Sequence, residues 1–472
     1  MSMTEKETHR AIEHPGEPQS NAIRARLAAV EPASQRTYTP SMAVLARSAG
    51  AYHWTPEGRK LADFTSGVLV ANLGHNPKSW WKRVWSYLGL EPAPGNMEQP
   101  GGDYLAALTL CAYNAVTELE TVACERLLGS LQSQPGGARC EQVLWAASGS
   151  EAIQKALWAA LDLHDGGDPI VLATRRGFHG KKGLAGAVTG TENDPERDSR
   201  VRFISFPTEE CSSVQRRQAP IDLGPYEAEL EAVVGEFGSR LCALITEPYL
   251  GGGGSFHPQP EYLRMIERFC RQNNLVFIFD EVQANFGRTG PMYAFTRYGV
   301  EPDIVVLGKG LGNGVPVSAA VGPAALFAKM HYGEASDTWS ANPLASAAVL
   351  ATLDEFETTD VLEHARELSR IIERGLSRLT ELDVVEQIRG EGVVWGIECS
   401  AIGVHGADEV ANRCVETCYL GDDHGRAIHL LGPLAGCVIR VSPPLTMDHA
   451  EADDYLAAMY DMFAAVGERL SA

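Results

Sequence analysis

The sequence predicts an α/β protein with one large, mostly parallel sheet, and two features of its apolar pattern support this prediction. Seven short runs rich in Val, Ile and Leu lack polar alternation, as strands buried on both faces of a parallel sheet do. Helix-period segments such as Glu151–Leu163 and Pro260–Gln272 separate several runs, so helices are expected on both faces. The predicted strands are Val143–Ala147, Ile170–Ala173, Val201–Ser205, Leu241–Thr246, Leu275–Asp280, Ile304–Leu307 and Val315–Val321.

Length and a later change of pattern predict a second, smaller α+β domain. At 472 residues the chain exceeds the roughly 250–300 residues that one core usually serves. We expect an N-terminal arm over 1–36 that begins as a mobile tail (Met1–Asn21), a first part of the small domain over 37–74, a large domain over 75–341 and the rest of the small domain over 342–472. This last part is predicted to contain helices Pro343–Glu357 and Val361–Glu381, strands Val393–Glu398, Ala427–Leu431 and Cys437–Val441, and a helix from His449.

Composition and charge exclude some classes of partner. The formal net charge of -21 would repel a phosphate backbone, so nucleic-acid binding is not expected. The first 21 residues lack the apolar run of a signal peptide, and no apolar stretch reaches the ~18 residues of a membrane span. The ten cysteines are scattered, and Cys414 and Cys418 suit one helix face better than a metal site. These features predict a cytoplasmic protein with reduced thiols and no membrane partner.

Two loops that follow predicted strands have the composition of a ligand site. Ser148-Gly149-Ser150-Glu151 begins a helix, where unpaired N–H groups and the helix dipole favour a phosphate. The alternative is that Ser150 is only the N-cap of that helix. Gly177-Phe178-His179-Gly180 offers an aromatic ring that could stack on a planar cofactor, or that could simply pack in the loop.

Two charged residues end or follow very apolar strands. Asp280 ends the run Leu275–Asp280, and a buried carboxylate there needs a cationic partner such as a protonated pyridine nitrogen. Its alternative role is to cap the next turn. Lys309 follows Ile304–Leu307 between Gly308 and Gly310, where a low dielectric lowers the pKa of an amine and makes it a nucleophile toward an aldehyde. The alternative is an ordinary exposed lysine at a strand end.

The order of these elements resembles the class III aminotransferases, the 4-aminobutyrate and ornithine-like enzymes of pyridoxal 5′-phosphate (PLP) fold type I. The resemblance extends from about Ala51 to the end of the chain. Its most specific part is Phe277–Gln283, followed by Phe286–Gly290 and by Lys309, which lies 309 − 280 = 29 positions after Asp280. The resemblance implies a large seven-stranded sheet domain that binds PLP and a smaller α+β domain.

The resemblance also implies roles for particular residues. Lys309 would form the Schiff base with PLP, and Asp280 would pair with the pyridinium nitrogen. Val282 would pack under the ring, Gln283 would approach its phenolic oxygen and Phe178 would stack on it. The phosphate would be bound by Gly149, Ser150 and, from the neighbouring subunit of a homodimer with shared active sites, Thr338. Arg440 would bind a substrate carboxylate, a task that suits a planar, permanently charged fork; the alternative is a surface arginine.

Departures from the family pattern bear on the substrates. Lys181 stands where relatives that use 2-oxoglutarate often have Arg. Gly252 stands where ornithine and 4-aminobutyrate enzymes have a Glu that screens the second arginine. The resemblance implies a ping-pong transamination from an amine or amino acid to pyruvate or 2-oxoglutarate. The departures favour a pyruvate-type acceptor or an unusual donor. The donor is not specified; the loop 91–114 is expected to shape its pocket, with Tyr113 as a pocket wall or as a core residue.

Other functions stay open at this level. Phe64-Thr65-Ser66-Gly67 resembles the dialkylglycine decarboxylases, so a decarboxylating transaminase or an epimerase is an alternative, although Val68 replaces their Gln and favours plain transamination. A non-catalytic PLP-fold binding protein would usually lack Lys309 or carry a DNA-binding segment before the fold. Both Lys309 and Asp280 are present, which favours an enzyme.

Overall fold

The computed structural model describes residues 12–35, 37–90, 107–113, 115–164, 166–193 and 198–471. Most of the loop 91–114 lies outside these residues. Numbered in chain order, the described strands are β1 Arg47–Ala49, β2 Tyr52–Trp54, β3 Lys60–Asp63, β4 Gln142–Ala146, β5 Ile170–Thr174, β6 Val201–Ile204, β7 Leu241–Thr246, β8 Val276–Asp280, β9 Ile304–Leu307, β10 Ser318–Gly322, β11 Val385–Glu391, β12 Val394–Cys399, β13 Ile428–His429 and β14 Val438–Val441. The described helices are α1 Pro18–Val30, α2 Ser66–Leu69, α3 Lys78–Leu88, α4 Glu118–Gln132, α5 Gly149–Asp162, α6 Gly183–Ala187, α7 Val214–Gln218, α8 Gly224–Phe237, α9 Pro260–Asn273, α10 Ala294–Tyr298, α11 Ala324–Phe327, α12 Pro343–Thr358, α13 Val361–Leu379, α14 Ala407–Leu420 and α15 His449–Ser471.

The chain forms two compact units. The larger unit comprises Val70–Asn72 and Pro77–His364, and the smaller unit takes the described residues up to Leu69, Leu73–Asn76 and the chain from Ala365. The larger unit includes α12, whereas the sequence pattern assigned that helix to the small domain. No helix in the described part of the chain has the length and apolar content needed to span a membrane.

The larger unit is built on a seven-stranded sheet in the order β4-β10-β9-β8-β7-β5-β6. Strand β10 runs antiparallel to both neighbours, and the other adjacent pairs are parallel. The predicted mostly parallel sheet of seven strands is therefore confirmed, with strand limits that differ by a few residues at most. Strands β5, β7, β8 and β9 are buried along their whole length, which explains why they read as continuous apolar runs, whereas the edge strand β4 is partly exposed.

The register of the parallel strands brings their carboxyl ends to one edge of the sheet. Asp280 pairs with Val306 on β9, and Thr246 pairs with Phe279 on β8. The segments that follow β5, β7, β8 and β9 therefore leave the sheet side by side. In open α/β sheets this edge is where ligands bind.

The smaller unit contains two small sheets, β1-β2-β3-β13 and β11-β12-β14. The second sheet is antiparallel, and Arg440 on β14 pairs with Gly396 on β12. Helix α14 carries Cys414 and Cys418, which are both buried, as expected of two cysteines on one helix face. All ten cysteines are free thiols.

The prediction of a mobile tail over Met1–Asn21 is wrong for its described part. Glu17 is buried just before α1, and its carboxylate accepts hydrogen bonds from Arg24 Nη2 at 2.6 Å and from Tyr419 Oη at 2.9 Å. Arg59 pairs with the same carboxylate. The sequence gives no apolar face for this segment because its buried contacts are ionic, and a solvated tail has the same polar composition.

A left-handed turn follows β3. All four residues of α2 have positive φ, namely Ser66 at 49°, Gly67 at 59°, Val68 at 69° and Leu69 at 65°. A β-branched residue such as Val68 is a strained outlier in this region, and such strain concentrates at functional segments. The turn coincides with the segment that resembles the dialkylglycine decarboxylases.

Candidate active site

Lys309 lies where β9 leaves the sheet, at the start of a short 3₁₀ turn (Lys309–Gly312). Its φ of 47° lies in the left-handed region, which residues other than Gly seldom adopt. Glycines flank it because a Cβ at Gly308 would lie 2.6 Å from Ser318 Oγ, and a Cβ at Gly310 would lie 2.5 Å from Asn72 Nδ2. The lysine is therefore half-buried in a crowded setting, as the sequence predicted, and is not an ordinary exposed lysine at a strand end.

Asp280 ends the neighbouring strand and is 4% exposed. Its Oδ2 lies 2.7 Å from Nδ1 of His179, whose side chain is completely buried. Its Oδ1 accepts a hydrogen bond from the backbone N–H of Val282 at 3.0 Å. Asp280 thus caps the following turn, as the alternative role expected, while a histidine orients its second oxygen. Such a buried, oriented carboxylate suits a cationic partner.

Glu247, which follows β7, connects three segments of this edge. One oxygen accepts from the backbone N–H of Phe178 at 2.9 Å, and the other accepts from Gln283 Nε2 at 2.9 Å and from Gly251 N–H at 3.2 Å. Burial raises the pKa of Glu247 to about 7; His179 opposes this shift and the negative charge of Asp280 adds to it. Glu247 therefore fixes the positions of Phe178 and Gln283.

The predicted phosphate loop begins α5. Ser148 is the N-cap: its Oγ accepts from Glu151 N–H at 3.4 Å, and the Glu151 carboxylate accepts from the N–H groups of Ala147 and Ser148. The alternative role of Ser150 as the N-cap is therefore wrong. This capping box does not use the N–H groups of Gly149 and Ser150, which a helix leaves without acceptors in its first turn. Those two groups are available to an anion.

Val282 and Phe178 provide two apolar surfaces near these groups. A Cβ at Gly149 would lie 3.1 Å from Val282 Cγ1, and a Cβ at Gly308 would lie 3.2 Å from the same atom. Val282 is thus packed between the phosphate loop and the glycine before Lys309. Phe178 is 37% exposed, although the strands beneath it are buried, so part of its ring is available for stacking.

Thr338 lies on an exposed segment that is held to α5 by an ion pair between the buried Lys155 and the half-buried Asp337. Lys155 is 5% exposed and its Nζ lies 2.8 Å from Asp337 Oδ2 and 2.5 Å from the carbonyl oxygen of Trp145. Asp337 also accepts a hydrogen bond from Ser340 N–H at 2.7 Å. Hydrogen bonds from Lys155 and Ser340 outweigh the effect of burial and lower the pKa of Asp337 to about 2. The residues on either side of Thr338 are therefore fixed, while its own side chain stays exposed.

Arg440 is the predicted residue that belongs to the smaller unit. It lies on β14 and is 4% exposed, so it is not a surface arginine. Its place at a substrate carboxylate remains a prediction. Tyr113, which was expected to be either a pocket wall or a core residue, is exposed and its Oη lies 3.4 Å from Ser336 Oγ, so it is not a core residue.

These features together fit PLP. The sheet edge holds an amine, an oriented buried carboxylate, a partly exposed aromatic ring and helix N–H groups for a phosphate. The Gly149 and Gly308 cradle around Val282 leaves no room for larger side chains. His179 contacts Asp280 through Nδ1, and its Nε2 is packed against Gly177, where a Cβ would lie 2.9 Å from that nitrogen. Fold and site thus define a PLP-dependent enzyme of fold type I.

Comparison with known proteins agrees with this class. The family model of the class-III aminotransferases matches residues 102–463. The acetylornithine aminotransferase of Agrobacterium fabrum is 29% identical over 425 residues, which cover 87% of this chain and 91% of that protein. The 4-aminobutyrate aminotransferase of Mycobacterium tuberculosis is 28% identical over 484 residues, which cover 99% of both chains.

Solved structures show the same fold. The ornithine aminotransferase of Toxoplasma gondii superposes with a TM-score of 0.78 at 23% identity, covering 95% of this chain and 96% of that one. A PLP-bound amine transaminase from an uncultivated Pseudomonas species has a TM-score of 0.74 at 24% identity, covering 94% and 97%. The chain belongs to the class-III aminotransferase family. It is a PLP-dependent transaminase, and the decarboxylase, epimerase and non-catalytic alternatives are not favoured.

Three residues at this edge were not predicted as site residues. His179 was within the quoted aromatic–His–Gly loop, but its contact with Asp280 spans 101 positions and leaves no local pattern. Lys155 is one lysine within a helix that otherwise reads as amphipathic. Glu247 could have been found, since it follows β7 in the way that Asp280 ends β8, and a carboxylate after a buried strand needs partners.

Proposed function

We propose that the enzyme moves an amino group from an amine or amino acid donor to a keto acid by a ping-pong mechanism, with pyruvate favoured over 2-oxoglutarate as acceptor. The observation that carries this proposal is the pair of adjacent strand ends that hold Lys309 and Asp280. Bound PLP supplies an aldehyde carbon and a ring that can accept electrons.

The residues of the chain would have distinct roles in this reaction. Lys309 would hold PLP covalently until the donor amine replaces it on the aldehyde carbon. Its released Nζ would then take the proton from the donor carbon and return it, as a general base and acid. Asp280, oriented by His179, would hold a proton on the ring nitrogen. Gly149 and Ser150 would bind the phosphate. Phe178 and Val282 would pack against the two faces of the ring and exclude water from them.

Gln283 would donate to the phenolic oxygen of the cofactor from the position that Glu247 gives it. Gln283 Nε2 carries two hydrogens, and it donates one of them to Glu247 Oε1 at 2.9 Å. Because burial raises the pKa of Glu247 to about 7, this carboxyl group is partly protonated near neutral pH. Glu247 is therefore a positioning residue in this proposal.

The acceptor preference rests on charge and on space. Arg440 is the one cation that the sequence assigns to a substrate carboxylate, and one guanidinium fork binds one carboxylate. At Gly252 a Cβ would lie 2.8 Å from Phe178 Cβ, so a Glu there would displace the stacking ring. Lys181, which replaces the frequent Arg, is exposed. Together these features favour a monocarboxylate acceptor over a dicarboxylate.

Replacement of Lys309 tests the chemistry. Lys309→Ala is expected to remove the visible absorbance of the lysine-bound cofactor and to abolish turnover. Lys329→Ala, a change at an exposed lysine, should have neither effect. Turnover at the wild-type rate in Lys309→Ala would contradict the assignment.

A matched acceptor panel tests the substrate preference. The enzyme is first converted to its aminated form with a panel of amines, and pyruvate and 2-oxoglutarate are then compared in single half-reactions by absorbance. A higher kcat/KM for pyruvate is expected. An Arg440→Gln variant should lose activity with both acceptors, whereas a clear preference for 2-oxoglutarate would overturn this part of the proposal.

We further propose a cytoplasmic homodimer with shared active sites. Free thiols at all ten cysteines are what a reducing compartment maintains. The exposed position of Thr338, on a segment fixed by Lys155, suits a residue that acts on a neighbouring subunit. Co-expression of a Lys309→Ala chain with a Thr338→Ala chain tests this, because sharing would give mixed dimers one site with both residues intact. Cofactor affinity in such dimers should reach the wild-type value in half of the sites; a uniformly weak site would exclude sharing.

A further inference from the structure

Three histidines surround one buried carboxylate in the smaller unit. Asp63 is completely buried at the end of β3, in register with His429 on the adjacent strand β13. His53 on β2 is 2% exposed, with its Nε2 3.6 Å from Asp63 Oδ2. His75 Nε2 lies 2.7 Å from the same oxygen. One ligand atom each from His53, Asp63 and His429 can be chosen so that all lie within 4.8 Å of one another.

The group has the hydrogen bonds that orient metal ligands. Asp63 Oδ1 accepts from Thr65 N–H at 2.8 Å and from Thr65 Oγ1 at 2.6 Å, which leaves Oδ2 for the histidines. His53 Nδ1 lies 2.7 Å from Ser48 Oγ. A donation from Nδ1–H to that oxygen would leave the lone pair of Nε2 directed at Asp63. Metal-bound histidines usually have such a partner on their second ring nitrogen.

His429 provides an independent observation. Its Nδ1 is buried and has no hydrogen-bond partner in the part of the chain that the structure describes. An unpartnered imidazole nitrogen, in a residue that has a ligand atom within 4.8 Å of those of His53 and Asp63, is the form in which histidine binds a metal. A buried nitrogen without a partner is otherwise unfavourable.

We propose that His53, Asp63, His75 and His429 bind a divalent transition metal of the zinc type. Three imidazoles and one carboxylate are a donor set that zinc binds in tetrahedral geometry. Metal–ligand bonds of about 2.0–2.1 Å require the donor atoms to approach to roughly 3.4 Å. The donor atoms of His53, Asp63 and His429, which lie within 4.8 Å of one another, must therefore approach by up to roughly 1.4 Å. His75 and His429 are only half-buried, which gives the ion a route from solvent.

The metal would link three strands of the first small sheet. Strand β13 is two residues long, and its register with β3 consists of the pairs Ile428–Ala62 and His429–Asp63. An ion held by residues from β2, β3 and β13 would fix this short strand in register. The role proposed is therefore structural, and it is independent of the transamination chemistry.

Metal binding to the complete PLP-loaded enzyme tests the proposal. The enzyme is treated with a chelator, dialysed, and titrated with Zn²⁺ by calorimetry and with Co²⁺ by visible absorbance. One Zn²⁺ per chain and the intense absorbance of tetrahedral Co²⁺ are expected. His429→Ala and His53→Gln should each abolish the cobalt spectrum, and His424→Ala, at an exposed histidine near β13, should leave it unchanged.

A milder variant keeps the test valid if the histidine variants fold poorly. Ser48→Ala removes only the hydrogen bond to His53 Nδ1 and is expected to weaken Zn²⁺ binding by roughly 10–100-fold. Equal binding by wild type and Ser48→Ala, or a cobalt spectrum that survives in His429→Ala, would show adventitious metal on other histidines. A protein that takes up no Zn²⁺ would show that protons alone stabilise the group, and it would equally overturn the proposal.

Discussion

Asp280 in the larger unit and Asp63 in the smaller unit have the same local structure but different surroundings. Each is buried at the end of a strand, accepts from the backbone N–H two residues later (Val282 at 3.0 Å and Thr65 at 2.8 Å) and has an imidazole nitrogen 2.7 Å from its other oxygen. Asp280 has one histidine and lies beside a partly exposed aromatic ring, whereas Asp63 has histidines on several sides. The same motif thus suits an organic cation in one unit and a metal ion or protons in the other.

Electrostatics sharpen this difference. Burial raises the pKa of Asp63, but the hydrogen bonds from His53 and His75 outweigh it and hold the pKa well below its ordinary value. In the larger unit, burial raises the pKa of Glu247 to about 7 and that of Glu281 to about 8, and Asp280 adds to both shifts. Asp63 therefore has imidazoles as its charged neighbours, whereas Asp280 has one imidazole and two carboxyl groups whose ionisation its own charge opposes.

Exchange of each aspartate for its amide gives the largest expected effect. Asp280→Asn should lower kcat by at least ~10²-fold, since it removes a charge preorganised for the reacting ring. Asp63→Asn should leave kcat of the folded enzyme nearly unchanged and lower its melting temperature, because neutral Asn no longer pairs with His53 and His75. Both values come from steady-state kinetics and thermal unfolding. An equal loss of activity in the two amide variants would contradict the claim that Asp280 acts in catalysis and Asp63 in stability.

Replacement of the histidine partners should also lower activity in the larger unit and not in the smaller unit, but the effect should be smaller than that of the aspartate variants. His179→Asn removes the orienting group of Asp280, and we expect kcat to fall roughly 10-fold, at the low end of the range for loss of second-shell partners. The pH at which the absorbance of the bound cofactor changes should shift as well. His75→Asn is the matched control and should alter neither quantity. An unchanged spectral titration in His179→Asn would mean that His179 only fills space.

The smallest expected effect is that the stabilities of the two units depend on pH in opposite directions. Glu247 has a raised pKa in the folded protein, so its contribution to stability is present below its unfolded pKa of about 4.3 and is lost as pH rises through about 7. His429 has a lowered pKa, so its contribution is present above the unfolded value of about 6.5 and is lost as pH falls toward about 4. Between pH 6 and 7 the contribution of each group to the free energy of unfolding changes by about 1 kcal/mol.

Hydrogen exchange resolved by peptide, on chelator-treated protein, would measure the two units separately. The larger unit should lose protection as pH rises, after correction for intrinsic exchange, and the smaller unit should lose it as pH falls. Glu247→Gln should weaken the first trend and leave the part that comes from Glu281, whose pKa burial raises to about 8, and Glu236→Gln, at an exposed position, should change neither part. Parallel trends in both units would contradict the opposite charge environments.

The larger unit was more predictable from sequence than the smaller one. Strands Leu241–Thr246 and Ile304–Leu307 were predicted at their observed limits because strands buried on both faces give uninterrupted apolar runs. The antiparallel direction of β10 was not predicted, since burial on both faces leaves the same apolar pattern in either direction. Strand β11 was missed because its buried residues include Arg389 and Glu391, which a pattern of apolar residues does not detect.

The candidate site shows the same limit. The positions of Lys309 and Asp280 followed from residue type and strand ends, because parallel strands bring their carboxyl ends together. The contacts of His179 and Glu247 depend on which loops lie side by side, and that order follows from the strand order β9-β8-β7-β5. Strand order is a property of the folded chain and has no local signal.

The ionic contacts of α1 have a practical consequence for anyone shortening this protein. Removal of the first 11 residues leaves Glu17, Arg24 and their partners in place. A chain that starts at Thr37 would lack Glu17, leaving Arg59 without its carboxylate partner and the buried Tyr419 hydroxyl without an acceptor. Such a chain should give less protein on expression and precipitate at lower temperature, and trimming for crystallisation is better confined to the residues before His14.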